Sequence, residues 1–94
     1  MMKYKIERTS KFKRDFKLIQ KRGYDIKLLK DVIQILAEGK PLDAKYKDHP
    51  LKGICKGLRE CHITPDWLLV YEFDDDRLYL YLTRTGTHSD LLAR

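Results

Sequence analysis

The spacing of apolar residues changes near the middle of this chain, and that change limits the folds open to it. Between Thr9 and Gly39 the apolar residues recur every three or four positions, the period of an amphipathic helix. From residue 57 onward they alternate or run together over short stretches, which is typical of β-strands. Gly39 favours a helix end, and Pro41 prevents the helix from resuming. The sequence therefore predicts a helical region up to Gly39 and strands of a sheet from residue 57 onward.

Two helices are expected in the first half. Thr9 or Ser10 can cap the first helix, and Gly23 can end it. Its apolar stripe consists of Phe12, Phe16 and Ile19. The second helix begins near Asp25 and has the stripe Leu29, Val32, Ile33 and Leu36.

Four strands are expected, at residues 3–8, 57–63, 67–73 and 77–84, with irregular chain at 40–56. The third strand is apolar on both faces, as in the middle of a sheet. The last strand places Leu78, Leu80 and Leu82 on one face. The order β-α-α-β-β-β predicts one α+β domain over residues 1–94, with a small, mostly antiparallel sheet. Two N-terminal helices would pack on one face of the sheet, and the other face would stay partly open.

The positive charge is concentrated on the predicted helices. The net charge is +6, and residues 1–40 hold twelve Lys and Arg against five Asp and Glu, whereas the remainder holds eight against nine. Such a basic surface suits a polyanion such as nucleic acid, although it also makes helices soluble. The candidate RNA-binding residues on the first helix and its end are Lys11, Lys13, Arg14, Lys17, Lys21 and Arg22.

Several classes of protein are disfavoured. The longest apolar run, residues 67–71, is far shorter than the roughly 20 residues of a membrane helix, and the N-terminus has no signal-peptide core. Cys55 and Cys61 are expected to be free thiols. A zinc site is disfavoured because the two cysteines are six residues apart and Cys61 and His62 point to opposite faces of a strand. No cofactor and no metal are expected.

Three histidines lie in polar motifs, at His49, His62 and His88. Histidines can supply both an acid and a base near neutral pH, and an arginine such as Arg84 can hold a phosphate, so the set suits RNA cleavage. Asp66 could orient a histidine. Alternatives stay open for each residue: a lone histidine is often structural, and Arg84 could pair with a carboxylate such as Asp90 or Glu60.

Trp67 has two interpretations at this stage. An indole ring could stack on an unstacked base of RNA. The residue also opens the apolar strand 67–73, so packing in the core would explain it equally.

Three motifs together resemble those of the YafQ family of bacterial toxins, in the RelE superfamily. They are Tyr-Lys-Asp-His-Pro-Leu-Lys-Gly (46–53), Arg-Glu-Cys-His-Ile-Thr-Pro-Asp-Trp-Leu-Leu-Val-Tyr (59–71) and Arg-Thr-Gly-Thr-His-Ser-Asp-Leu (84–91). The likeness extends more loosely through Thr9–Asp15. It implies the toxin of a type II toxin–antitoxin system with a RelE-like fold.

The resemblance also implies an activity: a ribosome-dependent mRNA endoribonuclease that cuts in the A site without a metal. Carried over by position, the functional residues are His49, His62, Asp66, Trp67, Arg84 and His88. We expect His88 to be the acid, His49 or His62 to be the base, and Arg84 to contact the phosphate. Replacing Arg84 or His88 by Ala should abolish cleavage and leave the fold intact. Some family members have an aromatic residue near the C-terminus where this chain has Leu92, which cannot stack on a base.

The implied partners are the ribosome, mRNA and a small antitoxin of the RelB/DinJ type, in a heterotetramer that reaches operator DNA only through the antitoxin. The implied location is the bacterial cytoplasm, with no membrane contact. A different class of function stays open, namely a non-catalytic nucleic-acid-binding module or an inactive toxin homologue within a DNA-binding repressor complex.

Overall fold

The computed structural model describes residues 2–51 and 57–92, without the side chain of Leu92. Two expectations therefore fall outside the described part of the chain: that Cys55 is a free thiol, and that the side chain of Leu92 cannot stack on a base. One short 3₁₀ turn, Ala44–Tyr46, precedes β2. The remaining elements are β1 (Lys5–Arg8), α1 (Ser10–Lys21), α2 (Ile26–Ala37), β2 (His49–Pro50), β3 (Arg59–Thr64), β4 (Trp67–Asp74), β5 (Tyr79–Gly86) and α3 (His88–Leu92).

The strands form one sheet in the order β1-β5-β4-β3-β2. β1 runs parallel to β5, and the other neighbouring pairs are antiparallel. The predicted α+β arrangement is confirmed, and β4, the strand that is apolar on both faces, occupies the middle of the sheet.

The two long helices form where local signals place them. The side chain of Thr9 accepts from the backbone N–H of Phe12 and caps α1, and Asp25 accepts from that of Lys27 and caps α2. Gly23 and Gly39 follow the two helix ends with φ of 81° and 76°, a backbone conformation that glycine adopts without a steric penalty.

The sheet has a closed face and a more open one. On the closed face, buried residues of α1 and α2, such as Phe12 and Leu29, pack with Cys61, Leu69 and Tyr71. Leu68 and Val70 point the other way, because side chains alternate along a strand, and they meet Leu91 of α3 in a smaller cluster. The prediction of two helices on one face is thus confirmed, while α3 covers part of the face expected to be open.

Two details of the sheet differ from expectation. The sheet has a fifth strand, the two-residue β2, within the stretch expected to be irregular. The last strand begins at Tyr79, so Leu78 lies in the preceding turn with φ of 59° and 44% exposure. The alternation of leucines begins one residue before the strand itself, because a turn residue can match the two-residue period of a strand by chance. None of the described helices is long and apolar enough to cross a membrane.

Candidate active site

The pairing of β2 with β3 brings two of the three histidines together. His49 lies opposite Glu60 in the register, and His62 is two residues further along β3, on the same face as Glu60. The Nε2 atom of His49 lies 3.3 Å from Oε1 of Glu60. Ligand-type atoms of His49, Glu60 and His62 all lie within 4.8 Å of one another.

The third histidine reaches the same place from α3. The ring centroids of His62 and His88 are 5.7 Å apart. The Nδ1 atom of His88 lies 3.0 Å from Oδ1 of Asp66, which sits in the turn between β3 and β4. Four of the predicted residues, His49, His62, Asp66 and His88, therefore converge, although they lie up to 39 positions apart in the sequence.

The position of His88 is held by contacts at the start of α3. The backbone N–H of Thr87 donates to Oδ2 of Asp90 at 2.9 Å, and the N–H of Asp90 donates to the Thr87 hydroxyl at 3.1 Å, a reciprocal arrangement like a capping box. Arg22 donates to both oxygens of Asp90, at 2.6 and 3.0 Å. These bonds hold the pKa of Asp90 far below its usual range, chiefly through the Arg22 guanidinium.

Arg84 is held by a carboxylate on α1. Its Nε and Nη2 atoms donate to the oxygens of Asp15 at 2.6 and 3.2 Å, and the backbone N–H of Thr85 donates to Asp15 as well. The Arg84 side chain is 17% exposed. The bond from Arg84 to Asp15 raises the pKa of the guanidinium above its ordinary value. The partner is neither Asp90 nor Glu60, the two carboxylates considered from the sequence.

The ion pair with Asp15 changes what an Arg84→Ala variant can report. Removing the guanidinium leaves a largely buried carboxylate without its main partner, which costs roughly 1–3 kcal/mol. The expectation that this variant keeps the fold intact is therefore weakened, and His88 is the cleaner position to test.

Asp48 fixes the backbone next to His49. It accepts hydrogen bonds from the Tyr71 hydroxyl and from Arg59, whose Nη2 lies 3.1 Å away. Burial first, and Asp48 second, raise the pKa of the buried Tyr71 well above its ordinary value. The phenol thus stays protonated and keeps donating. His49 is therefore attached to the centre of the sheet through its neighbour.

Hydrogen-bond partners distinguish the ring nitrogens of the three histidines. In His62, Nδ1 lies 3.4 Å from the Pro65 carbonyl oxygen, a contact that favours the neutral tautomer with the proton on Nδ1 and the lone pair on Nε2. In His49, Nδ1 faces the Pro50 carbonyl at 3.1 Å while Nε2 faces Glu60. Both nitrogens of His49 therefore face acceptors. His88 holds the pKa of Asp66 below its ordinary value through their hydrogen bond, so Asp66 is the ionised partner.

Trp67 does not occupy the position expected of a stacking platform. It is 3% exposed and packs edge-on against Tyr24, with ring centroids 5.0 Å apart. Its indole N–H donates to the hydroxyl of buried Thr85 at 2.9 Å. The prediction that Trp67 stacks on RNA is wrong for this conformation. The core-packing interpretation accounts for the residue, because it opens the central strand.

The basic residues of α1 divide into two groups. Arg22 differs from the others because its guanidinium is bonded to Asp90 and helps to place α3. Its side chain is still 35% exposed, and its contact with RNA stays a prediction. The other five candidates have exposed side chains, namely Lys11, Lys13, Arg14, Lys17 and Lys21.

Imidazole and carboxylate groups of this site are donors that Zn²⁺ and Cu²⁺ accept. Within the described ranges, His49, Glu60 and His62 are the group with compatible spacing. A transition-metal ion there would occupy the ring nitrogens of two candidate catalytic histidines.

Three residues that contact the candidate site residues or their neighbours were not chosen as candidates from the sequence: Glu60, Asp15 and Asp48. Each lies within a segment quoted above, but the partner of each is distant in sequence, so the motif alone does not show the contact. Glu60 could have been found by pairing the strand 57–63 with the segment around His49, but that segment was expected to be irregular.

Comparisons with known proteins agree on one family. Residues 4–93 match the family model described as a bacterial toxin of a type II toxin–antitoxin system, YafQ. The mRNA interferase toxin YafQ of Escherichia coli K12 is 44% identical over 94 residues, covering 99% of this chain and 100% of that protein.

Solved structures give the same result. The toxin chain in the crystal structure of the E. coli DinJ–YafQ complex has a TM-score of 0.87 and 43% identity, covering 96% of this chain and 98% of that one. A metal-bound toxin from Helicobacter pylori has a TM-score of 0.89 and 49% identity, covering 97% and 99%.

Proposed function

Because this chain belongs to the YafQ family of type II toxins and is an endoribonuclease of the mRNA interferase class, we propose that it cuts mRNA in the ribosomal A site by metal-independent acid–base catalysis. The observation that carries the proposal is the convergence of His49, His62 and His88 on one face of the sheet. The protein acts with a cognate antitoxin, as the relative in the DinJ–YafQ complex does.

The reaction needs three services. A base removes the proton of a ribose 2′-hydroxyl, and the 2′-oxygen forms a bond to phosphorus as the bond to the 5′-oxygen breaks. A cation stabilises the charge that develops on the phosphate, and an acid protonates the departing 5′-oxygen. Each well-placed proton transfer contributes roughly 10²–10⁴-fold to the rate. None of these services requires a metal ion, and the site has enough ionisable groups to supply all three.

His62 is the base and His88 is the acid. The Nε2 lone pair of His62 is available in the tautomer that the Pro65 carbonyl favours, with the proton on Nδ1. Asp66 accepts at Nδ1 of His88 and orients the ring, which leaves Nε2 of His88 to deliver a proton. His49 is the less suitable base because its Nε2 faces Glu60.

The phosphate also has Arg84 as a partner. Its Nε and Nη2 are held by Asp15, and an arginine has further N–H groups on Nη1 that can donate to a phosphate oxygen.

The exposed cations of α1 can bind ribosomal RNA. The activity takes place in the bacterial cytoplasm, where ribosomes translate mRNA. Operator DNA is bound by the antitoxin, within a heterotetramer of toxin and antitoxin.

The test is cleavage of a reporter mRNA on programmed ribosomes and free in solution. We expect His88→Ala and His62→Ala to lower the rate by about 10²-fold or more, with Ser89→Ala as the matched control beside His88. If His62 is the base, His62→Ala should abolish the acidic limb of the pH–rate profile, because that limb reports deprotonation of the base. His49→Ala should retain this limb. A zinc-selective chelator, with Mg²⁺ kept for the ribosome, should leave the rate unchanged.

Each finer claim has its own contrary result. Full activity in both His62→Ala and His88→Ala would refute the acid–base assignment. Equal rates on free and ribosome-bound mRNA would exclude ribosome dependence. Loss of cleavage with the chelator, restored by Zn²⁺, would show that the mechanism uses a metal.

A further inference from the structure

A groove next to the catalytic histidines has no role in the chemistry described so far. It encloses about 440 Å³, within the range of roughly 300–1,000 Å³ usual for ligand pockets. Its lining includes His62 and Pro65, Leu28 of α2, and the 3₁₀ segment with the residue that follows it. We name it the Tyr46 groove, defined by Leu28, Lys45, Tyr46, Lys47, His62 and Pro65.

The rim of this groove combines an aromatic ring with two cations. Tyr46 is half-buried and packs against the core, so its ring is held in place. The ammonium of Lys45 lies 5.2 Å from the centre of that ring, and Lys47 is exposed on the other side of Tyr46 in sequence. Unpaired RNA bases stack on aromatic rings, and lysines contact the phosphates beside them.

The backbone and an apolar residue of the lining support the same interpretation. Lys47 has φ of 48°, a conformation uncommon for residues other than glycine, and its N–H closes the 3₁₀ turn onto Ala44. Asp48, the next residue, is bonded to Tyr71 and Arg59, so the rim is attached to the sheet. Leu28 on α2 is 41% exposed and adds apolar surface to the same groove.

From this arrangement we infer that the Tyr46 groove is a nucleotide-binding subsite of the RNA substrate. It takes the base next to the scissile phosphate, with Tyr46 stacking on that base and Lys45 and Lys47 contacting its phosphates. This inference rests on the proposed function. His62 belongs to both the groove and the catalytic cluster, so a nucleotide seated in the groove places the neighbouring 2′-hydroxyl or phosphate beside the proposed base. The charge of the rim favours RNA over a neutral apolar peptide segment.

The experiment combines protein variants with a modified substrate. Reporter mRNAs carry a single abasic nucleotide immediately before or after the mapped cut, and cleavage on ribosomes is measured for each protein. For the wild-type protein one of the two abasic positions should lower the rate by about 5- to 100-fold, the range expected when one stacked base is removed. Tyr46→Leu should show a similar reduction on intact mRNA and no further reduction at that abasic position.

Three further variants separate stacking from folding and from charge. Tyr46→Phe keeps the ring and should behave as wild type. Tyr79→Leu changes an equally half-buried tyrosine on β5 and should cleave at the wild-type rate. Lys47→Asn removes a charge at a position where Asn tolerates the backbone, and should weaken binding more than it slows cleavage at saturation.

The outcomes discriminate between the groove and the activity. If the abasic nucleotide lowers the cleavage rate equally in wild type and Tyr46→Leu, the groove is not the nucleotide subsite, whereas cleavage that depends on His88 still supports the proposed function. If the wild-type protein does not cleave at all, both the subsite and the proposed function are refuted. Loss of antitoxin binding in Tyr46→Leu with an unchanged abasic pattern would assign the groove to the antitoxin and refute the inference. Should Tyr46→Leu fail to fold, the Tyr46→Phe rate and the wild-type abasic pattern still decide: no penalty at either position would refute it.

Discussion

At the scale of single residues, environment separates groups of the same chemical type. His62 and His49 are histidines on neighbouring strands. His62 has the Pro65 carbonyl at Nδ1, whereas His49 faces acceptors at both ring nitrogens. Arg84 and Arg22 both form two bonds to one carboxylate, and neither is a freely presented cation. The partners around a side chain therefore decide whether it can take part in chemistry.

Cys61 illustrates the opposite case, a reactive group type made inert. It is fully buried, and burial raises its pKa to about 12, with the nearby carboxylates of Asp48 and Glu60 adding to the effect. The nucleophile is the thiolate, which this environment disfavours. In a Cys55→Ser background, we predict no reaction of folded protein with iodoacetamide at pH 8, and rapid reaction in urea.

The same pKa shift has a consequence for stability. A pKa raised on folding means that the protonated thiol contributes fully below the ordinary thiol range, and that the contribution falls as the pH rises from about 9 toward 12. Rapid alkylation of the folded protein at pH 8 would contradict the buried, protonated state of Cys61.

At the scale of elements, the site depends on how α3 is attached. α3 has only five residues, too few to be stable alone, and it carries His88. Its start is held by Asp90, which joins Thr87 to Arg22 at the end of α1. The position of the proposed acid is therefore set by contacts between three elements, β5, α1 and α3.

Gly86 gives a test of this attachment. Its φ is 151°, and a Cβ there would lie 2.9 Å from Oδ2 of Asp90 and 3.0 Å from its Cβ. We predict that Gly86→Ala displaces Asp90 and His88 and lowers cleavage at least 10-fold, because a misplaced catalytic group costs about 10²-fold in the general case.

Gly23→Ala is the matched control for Gly86→Ala. Gly23 has φ of 81°, but no atom lies within 4 Å of an added Cβ. The control carries the backbone penalty of roughly 1–2 kcal/mol without the collision, so it should lose stability and keep its rate. Denaturant unfolding and cleavage assays report the two effects separately. Equal loss of rate in both variants would show that backbone strain, and not the displacement of α3, is responsible.

At the scale of the whole molecule, most of the exposed positive charge and the candidate catalytic groups lie on different elements. The exposed cations are concentrated on α1, whereas the histidines lie at β2, β3 and α3, in the half of the sequence with nearly balanced charge. This separation suits a protein that is held on a large polyanion by one surface and works on a single phosphate with another.

Salt dependence tests this division. Each lysine that neutralises a phosphate of the ribosomal RNA adds about 0.7–0.9 to the slope of log affinity against log salt. We predict that Lys13→Gln with Lys17→Gln reduces the slope of ribosome binding by up to twice that amount, measured in monovalent salt at constant Mg²⁺. The α2 pair, Lys27→Gln with Lys30→Gln, removes the same charge and should leave the slope unchanged. Identical slopes for the two double variants would argue against α1 as the ribosome-binding surface.

The sequence by itself determined the features that depend on near neighbours. The caps Thr9 and Asp25, the glycines that follow the helices and the apolar periods placed α1, α2 and the central strand, because each signal acts within a few residues. The motifs around His49, His62 and His88 likewise identified the family. Strand ends were less certain, as Leu78 shows, since a turn residue can continue an alternating pattern.

Only the tertiary structure decided which distant groups share a partner. Asp15 and Arg84 are 69 positions apart, and no local pattern links them. The buried position of Trp67, the pairing of Glu60 with His49 and the groove beside His62 arise in the same way, from strand register and helix packing. These contacts depend on a free-energy balance over the whole chain, so a residue's type indicated what it could do, and its neighbours in space determined what it does.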